Sequence, residues 1–118
     1  MAEPIAPIEL PPSTNPEIER SWLRHKLHVW LDAEYLPEAV NETIADRCAQ
    51  IFMRHRMEGE NDLGELVIAI IIEMQNFNFT ESFYGEFTVA NAVSDMILES
   101  MGFDTCCGYW WFRSNTAD

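Results

Sequence analysis

The chain has 118 residues, of which 47% are hydrophobic, and its 20 acidic and 7 basic side chains give a formal net charge of −13. The length is that of a single domain large enough to fold alone. After Met57 only Arg113 opposes eleven carboxylates, so the chain would repel phosphate backbones and anionic lipids, which argues against direct nucleic-acid or membrane binding.

A proline-rich arm, residues 1–14, opens the chain and contains four of its six prolines. Prolines that alternate with apolar residues predict an extended segment, flexible or docked as a strand-like arm. The first residues lack the basic start and apolar run of a secretion signal. The three cysteines, two of them adjacent, do not suit a disulfide framework, so we expect a cytoplasmic protein.

Two helices are predicted in the first half of the domain, which spans residues 15–103. Asn15 as a cap and Pro16 at the first helical position predict a helix to about Ala33. Pro37 interrupts the pattern, and a second helix follows to Met57. Helical spacing predicts their buried faces: Ile18, Trp22, Leu23, Leu27, Trp30 and Leu31 in the first, and Val40, Ile44, Cys48, Ile51, Phe52 and His55 in the second.

The third element has two interpretations. Leu66–Ile72 is β-branched enough for a buried strand, which would make the fold α+β. Asp62 followed by Glu65 is a capping arrangement, and the length to about Asn76 suits a helix surrounded by others, so we favour a helix. A fourth helix, capped by Thr88, ends at Gly102. The predicted fold is all-α, a compact bundle of about four helices.

The residue patterns indicate no catalytic or metal site. Cys48 and His55 are two helical turns apart, too far for a nucleophile and its base. His25 and His28 stand one turn apart, but the sequence has no Glu-x-x-His, His-x-x-x-His or Cys-x-x-Cys pattern to complete a metal site. We therefore predict no cofactor, no metal and no enzymatic activity.

Two acidic residues are singled out by their positions in the predicted helices. Glu73 lies at the end of the most apolar predicted helix, so it is the one carboxyl group that we single out as a candidate for burial. Asp95 is opposite the inner residues of the fourth helix, so we expect it on a solvated face.

The C-terminal segment, residues 104–118, holds a run of neighbouring aromatic side chains. Water tolerates a contiguous exposed run of rings poorly, so this segment must dock on its own domain, on a twin subunit or on another protein. Tryptophan and tyrosine supply much of the binding energy at protein interfaces. We predict a partner contact made by Tyr109, Trp110, Trp111, Phe112 and Arg113.

Three functions are compatible with these features. The favoured one is a small acidic accessory, assembly or regulatory factor that binds a basic protein partner, and a homodimer through the aromatic segment is compatible with it. The first alternative is a small-molecule-binding or enzymatic domain with an aromatic pocket of Trp22, Trp30 and the linker 77–87, and with His28 or a carboxylate as polar handle. The second is an acidic mimic of nucleic acid that binds a basic protein.

Overall fold

The computed structural model describes residues 7–103, which form four helices joined by loops. These residues contain no strand, so the all-α bundle is confirmed and the strand alternative for Leu66–Ile72 is wrong. None of the described helices is long and apolar enough to cross a membrane. In chain order the helices are α1 (Pro16–Glu34), α2 (Ala39–Met57), α3 (Leu63–Met74) and α4 (Glu86–Ser100).

The predicted caps of α1 and α3 are present. Asn15 Oδ1 accepts a hydrogen bond from the amide of Ile18 at 3.2 Å. Asp62 Oδ1 accepts one from the amide of Glu65 at 3.2 Å. Each cap satisfies an amide that has no partner within the helix, and thereby sets where the helix begins.

The start of α4 differs from the prediction. Gly85 is the N-cap and Glu86 the first helical residue, so Thr88 lies inside the first turn and is not the cap. A carboxylate in the first turn stabilises the positive end of the helix dipole, which favours this earlier start. The other end agrees with the sequence: Gly102 follows α4 with φ of 91°, a conformation that glycine adopts without strain.

The core lies between the four helices, and each of them contributes buried side chains to it. α1 packs mainly on α2, while α3 packs on both α2 and α4. Ile18 is an exception to the predicted face of α1, because its side chain is 66% exposed near the start of the helix. The largest side chains that are completely enclosed include Leu23, Leu27 and Leu31 of α1, Ile44, Ile51 and Phe52 of α2, Leu66 and Ile70 of α3, and Val89 and Leu98 of α4.

Part of the proline-rich arm is bound to the domain. The amide of Leu10 donates to the carbonyl of Asn61 at 2.8 Å, and the amide of Leu63 donates to the carbonyl of Ile8 at 2.8 Å. These bonds form an isolated antiparallel bridge between the arm and the loop before α3. The side chain of Leu10 joins the core, being 5% exposed.

A buried amide connects the two loop regions at one end of the bundle. Asn41 Nδ2 donates to Asp32 Oδ1 at 2.8 Å and to the carbonyl of Leu36 at 2.9 Å. The hydroxyl of Tyr84 donates to Asn41 Oδ1. A buried side-chain amide is stable only when its hydrogen bonds are made, so this network joins the α1–α2 turn to the α3–α4 linker.

Candidate functional site

A groove runs between the proline-rich arm, the start of α1 and the end of α4. Its volume is about 540 Å³. We call it the arm groove. Its apolar walls are formed by Leu10 of the arm, Ile18 and Trp22 of α1, and Ile97 and Met101 at the end of α4.

Local structure explains why these apolar side chains meet. The Asn15 cap fixes the start of α1, so Ile18 and Trp22, four residues apart, follow on one face. Ile97 and Met101 have the same spacing at the end of α4. The bound arm supplies the third wall. Within residues 7–103 no further helix covers Ile18, which leaves it exposed on the groove.

Arg56 forms a polar base for the arm groove. It is 8% exposed, and its Nη1 lies 3.1 Å from Glu19 Oε2. Its Nη2 donates to the carbonyl of Pro11, and the guanidinium lies 6.0 Å from the centroid of the Phe52 ring. Arg56 thus holds α2, α1 and the arm together. Sequence reasoning missed it, because helical spacing alone does not show which cation near a helix end will be covered by another segment.

Two buried polar atoms of the groove residues lack hydrogen-bond partners within residues 7–103. They are Arg56 Nε and Ser13 Oγ. Buried polar groups are almost always hydrogen-bonded, because an unpaired one loses its interaction with water without replacement.

The predicted contact residues Tyr109, Trp110, Trp111, Phe112 and Arg113 lie outside the described residues. The point at which the chain leaves the domain is described. Helix α4 ends at Ser100, and the amide of Phe103 donates back to the carbonyl of Leu98 at 2.9 Å. Because Ser100 and Met101 line the arm groove, the chain departs toward residues 104–118 from the rim of that groove.

A second surface combines exposed apolar and acidic side chains on α3. Ile68 and Ile72, one helical turn apart, are 42% and 57% exposed. Glu60, Glu65 and Glu73 border them around a shallow depression of about 220 Å³. We call this surface, defined by these five residues, the acidic α3 face.

Glu73 belongs to a charged cluster on the acidic α3 face. Arg54 Nη2 donates to Glu73 Oε2, and His55 Nε2 lies 2.6 Å from the same oxygen. The hydrogen bond from Arg54, followed by that from His55, lowers the pKa of Glu73. Glu73 is therefore a half-buried ionised carboxylate. His55 is also half-buried and contacts it from the predicted inner face of α2.

The remaining histidines and Cys48 do not form a site together. His28 Nε2 lies 3.3 Å from Asp32 Oδ2, while His25 is exposed. Cys48 is completely enclosed, and burial raises the pKa of its thiol to about 12, so it is a poor nucleophile. Within residues 7–103 no group of three His, Cys, Asp or Glu side chains is arranged to hold a metal ion.

The residues of the alternative aromatic pocket separate into two environments. Trp22 lines the arm groove, whereas neither Trp30 nor the 77–87 linker does. Trp30 lies eight residues, or about 12 Å, further along α1. Its ring makes an edge contact with Tyr35 at a centroid distance of 6.1 Å, and Tyr35 contacts Tyr84 at 4.8 Å. The linker aromatics Phe77 and Phe79 pack against the core.

Asp95 differs from the expectation of a solvated position. It is half-buried, and its Oδ1 is buried without a hydrogen-bond partner in the described part of the chain. Burial, and secondarily the charge of Glu99, raises the pKa of Asp95 to about 6. The expectation was wrong because helical spacing places Asp95 opposite the inner residues of α4 but does not show what else packs beside it.

Comparison with known proteins yields one match. Residues 5–101 match the family described as "Domain of unknown function (DUF8822)". No curated protein matches the chain, and no solved structure does.

Proposed function

Since the chain belongs to the DUF8822 family, whose description assigns no activity, we propose from its surface chemistry that it is an acidic accessory, assembly or regulatory factor that binds another protein. In this proposal the C-terminal aromatic residues Tyr109–Arg113 anchor the partner, and acidic surface residues select a basic one. A cytoplasmic setting is part of the proposal.

The acidic α3 face is the observation that carries this proposal. Ile68 and Ile72 expose apolar surface whose burial is favourable, roughly 25 cal/mol for each Å² removed from water. The three glutamates around them favour a partner with lysine or arginine beside its own apolar side chains. Exposed apolar side chains bordered by charged ones are typical of a protein-binding surface, where burial gives affinity and charge gives selectivity.

The charge of the whole chain supports the same type of partner. A net charge of −13 attracts a basic protein over distances of about 8–10 Å at physiological salt, before any contact forms. Arg54 is the exposed cation at the acidic α3 face, and it is paired with Glu73. The unpaired charges that a partner meets there are therefore carboxylates, which raises the association rate of a basic protein.

Site-specific crosslinking would test this function. A photoreactive amino acid in place of Ile72 or Trp111, introduced in living cells, would identify the bound protein, and the dissociation constant would then be measured with purified partner by calorimetry. We expect Trp110→Ala combined with Trp111→Ala to weaken binding by about tenfold or more. We expect Ile72→Glu to weaken it as well, by removing buried apolar area.

Val29→Glu is the matched control, because Val29 is 52% exposed on α1 and lines neither the arm groove nor the acidic α3 face. It should bind as the unmodified chain does. Raising the NaCl concentration should weaken the complex, mainly through slower association. An affinity unaffected by the tryptophan and Ile72 changes would contradict the proposal. A small molecule retained through purification and seen by native mass spectrometry would favour the ligand-binding alternative.

A further inference from the structure

The arm groove is an apolar surface that residues 7–103 leave open. Ile18 has 66% of its surface in water, and Met101 has 37%. Trp22 adds a half-buried indole. Contiguous apolar surface in a recess is the usual setting for a bound apolar segment, because shape and area both contribute to its burial.

The nearest apolar segment belongs to the same chain. The end of α4 forms one wall of the arm groove, and fifteen residues, 104–118, follow Phe103. The aromatic run begins at Tyr109, seven residues after Gly102. A chain extended over seven residues spans about 23 Å, at roughly 3.3 Å per residue, so a return to a wall made by its own preceding helix requires no strain.

The chemistry of the segment fits the arm groove. In an extended chain neighbouring side chains point to opposite sides, so Trp110 and Phe112, or Tyr109 and Trp111, can enter the groove together. A peptide segment also brings carbonyl and amide groups, which can pair with polar side chains that line the groove.

We propose that the arm groove holds the C-terminal aromatic segment of the same molecule, with the rings of residues 109–112 packed on Ile18, Trp22 and Met101. The contact is intramolecular and exists without a partner, so it goes beyond the proposed function. Where that function also holds, the partner and the arm groove compete for the same aromatic side chains.

Paramagnetic relaxation in the full chain tests this contact. A nitroxide is attached to Asn115→Cys in a chain that also carries Cys106→Ser and Cys107→Ser, because the enclosed Cys48 does not react. We expect the label to broaden the amide signal of Ile18 and the indole signal of Trp22 strongly, and to broaden the indole signal of Trp30, about 12 Å further along α1, less. Reduction of the nitroxide should restore the signals. Groove signals that stay sharp with the label oxidised would overturn the proposal.

Two substitutions of exposed isoleucines distinguish the arm groove from other surfaces. Ile18→Glu places a charge on the groove wall, whereas Ile72→Glu places the same charge on α3 at a side chain with 57% exposure. Both positions are exposed, so the fold should persist, as circular dichroism would verify. We expect Ile18→Glu to restore the indole signal of Trp22 and Ile72→Glu to leave it broadened. Equal effects of the two changes would overturn the assignment to this groove.

A mixed sample identifies which molecule supplies the segment. Isotope-labelled chain without nitroxide is combined with unlabelled chain that carries it. The contact is intramolecular if the signals of Ile18 and Trp22 stay sharp in this mixture but are broadened in a sample whose chains all carry both the isotope label and the nitroxide. Broadening in the mixture assigns the segment to a second copy and overturns it. All these measurements use the isolated chain, so their outcome is independent of the partner experiment.

Discussion

At the scale of single residues, Asp95 is a half-buried carboxyl group in the described part of the chain. Its buried Oδ1 has no hydrogen-bond partner within residues 7–103, and its pKa is raised from 3.8 to about 6, first by burial and then by Glu99. A raised pKa means that the folded chain binds this proton more tightly than the unfolded chain does. The contribution of Asp95 to stability is therefore complete below about pH 4 and is lost as the pH rises through 6.

Asp95→Asn should accordingly stabilise the protein at neutral pH. The amide keeps the shape of the carboxylic acid without its charge, and we expect a gain of about 1 kcal/mol at pH 7, after allowing for the partial solvation of this group. The gain should shrink as the pH falls through 6 and vanish near pH 4. Urea unfolding of both chains across this range measures it, with the exposed Glu81→Gln as control. A difference that does not change with pH would contradict the raised pKa.

At the scale of structural elements, Arg56 connects three segments of the chain at the arm groove. Its guanidinium binds the carbonyl of Pro11 in the arm and Glu19 in α1, while its own backbone belongs to α2. Two further hydrogen bonds hold the arm, through Leu10 and Leu63. Arg56 therefore contributes to the shape of the arm groove together with these bonds, because the groove walls come from separate elements.

Arg56→Ala should loosen the arm and destabilise the fold. Removing one partner of a buried ion pair leaves the other charge poorly compensated, and we expect a loss of about 3 kcal/mol in the free energy of unfolding. Hydrogen exchange at the amides of Leu10 and Leu63 should become faster. Arg54→Ala is the matched control: its side chain is 51% exposed in the pair with Glu73, so its loss should be only about 0.5 kcal/mol. Equal losses for the two variants would show that Arg56 does not hold the elements together.

At the scale of the whole molecule, the excess carboxylates repel one another when the chain is compact. The net charge of −13 is distributed over a small bundle, and unfolding separates the charges. Salt screens this repulsion over a distance of about 10 Å at 0.1 M. The partner proposed above would reduce this repulsion as salt does, because a basic protein neutralises the same carboxylates.

We therefore expect NaCl to stabilise the folded chain. The free energy of unfolding, measured with urea because urea is uncharged, should rise as NaCl is increased from about 0.02 M to about 0.2 M, the range in which screening changes most. Thermal unfolding in the same buffers provides a second measurement. Stability that falls with added NaCl would mean that favourable ion pairs such as Arg56–Glu19 outweigh the general repulsion.

The helices and most of their buried faces were predictable because they depend on local chemistry. Asn15 and Asp62 cap α1 and α3 at the predicted positions, since a capping side chain acts on amides only three residues away. The predicted cap of α4, Thr88, was wrong. The true cap, Gly85, has no side chain to signal its role, and the preceding linker sets where α4 begins.

The sequence by itself determined the helical bundle, its enclosed Cys48, the acidic charge and the aromatic segment from Tyr109. These features were readable because periodicity, charge and ring content are properties of the residues themselves and of their neighbours in the chain. Only the tertiary structure decided that Arg56 is buried under Pro11, 45 residues away, that Asp95 is half-enclosed, and that Ile18 and Met101 face one groove. These features arise where distant segments pack together, and which segment covers a given side chain is a property of the folded chain alone.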